Sequence, residues 1–305
     1  MEPFPFVVGC ERSGTTLLRF MLDAHPDLAI PPESYFIVDL YRRVSRYGTE
    51  GDVDLTAMAA DLRGHRWFSA WDLDLADLHS RGQSFPDAVR RIYEAYAAQH
   101  GKHRYGDKTP AFVMHLPLLA RLFPEGRFVH LIRDGRDVAL SLADVSWGPV
   151  TVLDAAIQWR ERVERGRTAG EALGAERYRE VRYERLVGEP EPVLRELAEF
   201  LGLEFDPAML SHHERAGDRI AGGPKGIHRR AAEAPTAGIR DWRAQMSRAD
   251  LEAVEAAVGD LLTELGYERA VPEPSSEARR RVRQAEGRRR RRHAWRRLKF
   301  RLGRS

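Results

Sequence analysis

Three short apolar runs divide the chain, and each gives way to residues at helical spacing. Phe6, Val7 and Val8 run into Gly9, which predicts a buried strand over residues 5–9. Leu17, Leu18, Met21 and Leu22 then recur with a helical period, so a helix starts near Ser13 to Thr15. Phe128 to Ile132 repeat the theme: a strand over 127–132, a tight turn at Asp134-Gly135, and a helix opening with Val138, Leu140 and Leu142. A third strand is expected at 177–182. Helices are expected over 112–123, over 151–174 carrying Trp159, and over 248–265. Between 36 and 104 the chain holds several amphipathic helical stretches, and 211–246 is polar and rich in Gly and Arg, which reads as a loop. Buried strands alternating with helices predict an α/β fold around a parallel sheet.

The first strand-to-helix turn concentrates anion-binding chemistry. Between Gly9 and Thr16 the chain places Arg12, Ser13, Gly14, Thr15 and Thr16 where backbone amides converge at a helix start. Gly9, four residues, Gly14, Thr15, Thr16 is the spacing of a nucleotide phosphate loop, but Thr15 stands where that loop has its lysine. A nucleoside triphosphate with magnesium needs that cation, so a smaller anion suits this turn better. Taken alone, Ser-Gly-Thr-Thr is equally a helix cap.

Composition adds bounds. With 305 residues and 43% hydrophobic content the chain can bury one α/β core with decorations. The single cysteine, Cys10, excludes an internal disulfide and reads as a small buried filler. Together with a start that lacks a signal-peptide pattern, this gives a reducing, cytoplasmic expectation. No run of eighteen apolar residues suggests a membrane span. The net charge of +3 conceals two opposed parts. Residues 278–305 hold fourteen Lys plus Arg against Glu286 alone, leaving 35 basic against 45 acidic residues over 1–277.

The motifs resemble the PAPS-dependent sulfotransferase family, whose pattern is roughly PRSGTTLL, then ML, then HP. Here it stands as ERSGTTLL, Met21-Leu22 and His25-Pro26, with Glu11 in the proline's place. Gly106-Asp107-Lys108-Thr109-Pro110, RDGRD at 133–137, Tyr183-Glu184 and Phe200-Leu201-Gly202 extend the likeness over most of residues 4–270. It is closest to the branch that sulfates protein tyrosines and glycans. The resemblance implies a P-loop-like three-layer fold, a central parallel sheet with helices on both faces, carrying a helical insert (about 36–104) and a basic tail. The domain would run over 1–271, with a linker at 272–277 and the tail at 278–305.

It also implies roles. The donor is 3′-phosphoadenosine 5′-phosphosulfate (PAPS), which leaves as adenosine 3′,5′-bisphosphate. Arg12 and the Ser13, Gly14, Thr15, Thr16 turn hold its phosphosulfate. Glu33, fixed after Pro31-Pro32, is the general base that takes the acceptor's proton. Lys108 assists at the sulfuryl oxygens or the departing phosphate. Arg133 and Ser141 grip the 3′-phosphate, an arginine fork being suited to two phosphate oxygens. Tyr183 contacts the nucleotide, and Arg229, Arg230 and Arg240 in the loop ahead of Trp242 are further 3′-phosphate candidates. No metal is required, because the transferred group carries less charge than a phosphoryl, and His25, His212, His213 and His228 show no ligand spacing.

Several alternatives stay open at this level. Glu33 also suits a helix start, Lys108 a plain Asp-led turn, RDGRD a surface ion-pair cluster, and Tyr183 core packing. Trp67 and Trp71 either line an acceptor pocket formed by the helical insert or pack the core. The tail reads as an amphipathic helix on an anionic membrane surface, a nucleic-acid binder, or a solvated appendage. Rival functions are a magnesium-dependent phosphotransferase of the same architecture and a non-catalytic nucleotide or polyanion binder.

Overall fold

A computed structural model describes residues 2–75, 83–211 and 241–301 of the chain. It divides into two compact units, Met1–Ile132 with Arg165–Ala237 and Arg133–Glu164 with Gly238–Ser305.

The first unit is built on a four-stranded sheet of β1 (Phe4–Gly9), β2 (Asp107–Lys108), β3 (Gly126–Ile132) and β4 (Tyr178–Arg182), in the order β2-β1-β3-β4. All neighbours are parallel. β1 is central and buried along its whole length, which is why it reads as an unbroken apolar run. Alternate residues serve opposite layers. Phe4, Phe6 and Val8 join one cluster with Phe123, Phe128 and the insert helices α2 (Phe36–Tyr41), α3 (Leu55–Arg63) and α4 (Phe85–Gln99). Val7, Val129 and Leu131 join another with Leu17, Leu18, Met21 and Leu22 of α1 (Thr15–Asp23) and Leu186, Leu194 and Leu197 of the later helices. The expected three-layer α/β class is therefore present, with a parallel sheet between helical layers.

Two expectations within this unit need correction. GDKTP reads as a turn, yet Asp107 and Lys108 pair with Phe6 and Val7 as the edge strand β2. A two-residue strand of charged side chains has no apolar alternation to announce it. The helix expected over 112–123 is a 3₁₀ stretch, Pro110–His115, followed by α5 (Leu116–Leu122). Pro117 lacks an N–H and its ring opposes the preceding turn, so the α-helix restarts at that point.

The second unit gathers α6 (Gly135–Ala143), the first half of α7 (Val152–Leu173), α10 (Trp242–Gln245), α11 (Arg248–Glu264) and α12 (Ser276–Arg301), while α8 (Tyr183–Gly188) and α9 (Pro190–Leu201) belong to the first. Within 211–246, expected as loop, Asp241 caps α10 by accepting from the Arg243 amide; residues 212–240 lie outside the described residues. Arg136 is the unit's hub, 1% exposed. Its guanidinium meets Asp134 at 2.8 Å and the buried Glu255 at 2.6 Å, and lies 3.8 Å from the centre of the Trp242 ring. Residues 278–285 are part of α12 and bury Ala278, Val282 and Ala285.

Candidate active site

The cradle is shaped by its backbone. β1 ends at Gly9, where a side chain would meet the Leu131 carbonyl oxygen of β3 at 2.6 Å. The turn closes through the Ser13 amide, which donates to the Cys10 carbonyl at 3.2 Å, with Arg12 in the left-handed region at φ 70°. Gly14 follows at φ 96°, and a Cβ there would fall inside the Tyr183 ring. Glycine is thus required twice over, by conformation and by space. The N-cap residue of α1 is Gly14, which offers its first amides no side chain, and the positive dipole end of the helix is directed into the turn. Ser13 Oγ is fully buried with no hydrogen-bond partner among the described residues. An uncapped helix start beside an orphaned hydroxyl donor fits an anion rich in acceptor oxygens.

Glu33 and Lys108 meet at the edge of this cradle. Lys108 Nζ donates to Glu33 Oε1 at 2.7 Å and to Thr16 Oγ1 at 3.4 Å, linking β2 to α1. Lys108 is 2% exposed, and burial pushes its pKa down while the Glu33 carboxylate opposes the shift. Both partners are held from behind. Arg19 of α1 donates to the Ile30 carbonyl at 2.9 Å and Asp23 accepts from the Ile30 amide at 2.9 Å, which anchors the chain ahead of Pro31-Pro32. On the other side the Ser34 amide donates to Thr109 Oγ1 at 2.9 Å, and Thr109 Oγ1 and Tyr93 Oη both donate to Asp107 Oδ2. Asp107 is wholly buried, and desolvation raises its pKa to about 6 against those hydrogen bonds. Asp107, Thr109, Ser34 and Tyr93 therefore fix the residues next to Lys108 and Glu33. Sequence reasoning missed them; the alternation Asp107-Lys108, one side chain to each face of a strand, was the available signal.

Three more of the singled-out aromatic residues lie in this unit. Tyr183 is buried in the cluster beneath α1 and abuts Gly14, so it underpins the turn. Trp67 and Trp71 part company: Trp71 is 1% exposed inside the aromatic core with Phe36 and Tyr93, whereas half-buried Trp67 packs on Tyr35 with ring centres 4.8 Å apart. Arg66 lies over the other ring partner, 4.9 Å from Trp67. Tyr35 itself sits at φ 31°, an unusual conformation for a bulky residue, two positions after Glu33.

In the second unit, Arg133 and Ser141 are both buried, so RDGRD is no surface ion-pair cluster. Arg133 donates to Asp137 Oδ2 at 3.2 Å, and Asp137 also accepts from the Trp242 amide at 3.0 Å. Burial raises the Asp137 pKa, with Arg133 working against it. This turn differs from the first in one respect: Asp134 caps α6 through the Arg136 amide at 2.9 Å. At this second strand-to-helix turn one of the leading amides is thus taken by a carboxylate. Arg229, Arg230 and Arg240 lie outside the described residues.

Comparison with known proteins agrees with this architecture. A family model described as "Sulfotransferase family" matches residues 3–207. The nodulation protein NoeE of Sinorhizobium fredii is 30% identical over 89% of this chain and 68% of its own length. The protein-tyrosine sulfotransferase of Drosophila melanogaster is 26% identical over 87% of this chain, which spans 52% of that relative. Among solved structures, the sulfotransferase domain of the Synechococcus PCC 7002 olefin synthase superposes with a TM-score of 0.63 at 24% identity, covering 88% of this chain and 95% of that domain. The fold is the parallel three-layer α/β architecture of the sulfotransferases. The chain belongs to the sulfotransferase family, and it is a sulfuryl-transferring enzyme.

Proposed function

We propose that the enzyme transfers a sulfuryl group from PAPS to an acceptor hydroxyl or amine, with Glu33 as the base. The carrying observation is the line Thr16, Lys108, Glu33, which sets a carboxylate and a buried cation against the rim of an uncapped anion turn. In this reading Arg12, Ser13, Gly14, Thr15 and Thr16 hold the phosphosulfate. The acceptor oxygen attacks sulfur while its proton passes to Glu33; the bond from sulfur to the bridging oxygen breaks, and that electron pair leaves on the nucleotide's 5′-phosphate. Lys108, already beside Thr16, offsets the charge that grows there. Arg12 and Lys108 supply protein cations at the reacting group.

Arg133 and Ser141 take the 3′-phosphate in this proposal, supported by the match of RDGRD to the family pattern and by their burial. Tyr183 serves the nucleotide indirectly by shaping Gly14, and Arg229 and Arg230 are further phosphate partners. Tyr35 and Trp67 form the acceptor platform, since their paired rings follow directly on the base. For partners beyond PAPS and the acceptor, and for placement at a membrane periphery in the cytoplasm, the basic C-terminal region is the candidate element.

Calorimetric titration tests the donor: adenosine 3′,5′-bisphosphate is expected to bind at least about tenfold tighter than ADP, a gap of about 1.4 kcal/mol. Equal affinities would remove the 3′-phosphate receptor. Glu33→Gln is expected to lower turnover by about 10²-fold or more while nucleotide affinity is kept.

A further inference from the structure

Among the described residues, the exposed large hydrophobic side chains are Trp147, Val150 and Trp295, at 56%, 90% and 58% exposure, and all belong to the second unit. Trp147 and Val150 lie in the segment joining α6 to α7, shortly before Asp154 in the first turn of α7. Arg288 and Arg292 of α12 approach the Asp154 carboxylate at 3.8 and 3.7 Å. Trp295 follows those two arginines by seven and three residues, so it shares their stripe of the helix. The ion pairs therefore bring the Trp295 stripe to the end of α7 from which Trp147 and Val150 emerge.

Charge sorts by face at this end. Arg289 pairs inward with Glu161 at 2.5 Å and Arg290 approaches Glu286 at 3.7 Å, whereas exposed Arg291 stands one helical turn before Trp295 and on its face. A nucleic-acid duplex is met at its phosphates by arginines without help from exposed indoles. Exposed indoles on a surface that also presents arginine suit the headgroup layer of an acidic bilayer, where the ring enters the interface and the guanidinium meets lipid phosphate. No helix of the described residues is long and apolar enough to cross a membrane, so the association is peripheral.

We infer that this end of the second unit docks on an anionic lipid surface, with Trp147, Val150 and Trp295 entering the headgroup layer and Arg291 facing its phosphates. The inference rests on the peripheral placement proposed for the basic C-terminal region and is independent of the sulfuryl-transfer chemistry. Flotation of the full chain with vesicles of phosphatidylcholine, alone or with a third phosphatidylglycerol, tests it. The wild-type chain is expected to float with the acidic vesicles only. W147A/W295A, whose net charge is unchanged, is expected to lose about tenfold in partitioning, and R291E several-fold. Tryptophan emission of the wild-type chain should shift to the blue and be quenched by brominated acidic lipid, a readout that needs no variant. Failure to float, equal flotation with both vesicle types, equal partitioning of W147A/W295A and wild type with no quenching, or binding to duplex DNA without binding to vesicles would each overturn it.

Discussion

Asp107 and His130 are wholly buried ionisable side chains with opposite effects on stability. The Asp107 carboxyl is raised from 3.8 to about 6, so its contribution is complete below the ordinary carboxylate range and fades as pH climbs through about 6. His130 is pushed from 6.5 to about 3 by burial first and Arg167 second; its contribution is complete above 6.5 and fades as pH falls toward 3. Between about pH 4 and about pH 6 the two slopes oppose, the full shifts being worth roughly 3 kcal/mol for Asp107 and roughly 5 kcal/mol for His130. Melting curves should therefore show a shallow pH dependence in the wild type. Asp107→Asn should uncover a rise in Tm with pH over that window, and His130→Gln a fall. The buried partners explain why neither residue was legible beforehand: Tyr93 and Thr109 reach Asp107 from distinct elements, and His130 meets Tyr178 across two strands at 2.6 Å. The cradle residues were legible because one contiguous stretch of chain carries them all.

Elements repeat that division between local and distant information. β1 with α1, and β3 with α6, announce themselves because apolar run, glycine and helical spacing follow one another without interruption. β2 escaped because its pairing with β1 is decided roughly a hundred residues away in sequence. The insert shows the limit of reading aromatic residues by type. Trp67 and Trp71 are four residues apart, and only tertiary packing tells the half-buried ring from the core one. Trp67→Ala is expected to raise the KM of an acceptor several-fold while adenosine 3′,5′-bisphosphate affinity stays level. Trp71→Ala is expected to cost about 3 to 5 kcal/mol of stability instead, read from denaturant titration.

At the level of the whole molecule, composition describes charge well and its placement poorly. The excess of arginine beyond residue 278 is plain in the sequence, and it suggested an appendage that could be cut away. The second unit uses that region structurally: Ala278, Val282 and Ala285 are buried, Arg281 pairs with Asp250 at 2.7 Å, and Arg160 reaches Glu286 at 2.7 Å. Truncation after Pro274 is therefore expected to lower Tm by several degrees, since a loss of even ~1 kcal/mol shifts a domain of this size by a few degrees. Point variants on the exposed face isolate its surface role where deletion would not.

Lys108 is shared between Glu33 and Thr16, and this carries a kinetic consequence. An acceptor arriving at the empty enzyme finds the carboxylate oxygen already engaged by an ammonium group. In the proposed mechanism a donor arriving first competes for that ammonium with its own oxygens and releases the carboxylate to receive a proton. Substrates are thus expected to add in a compulsory sequence, PAPS before acceptor, and steady-state product inhibition should show adenosine 3′,5′-bisphosphate competing with PAPS alone.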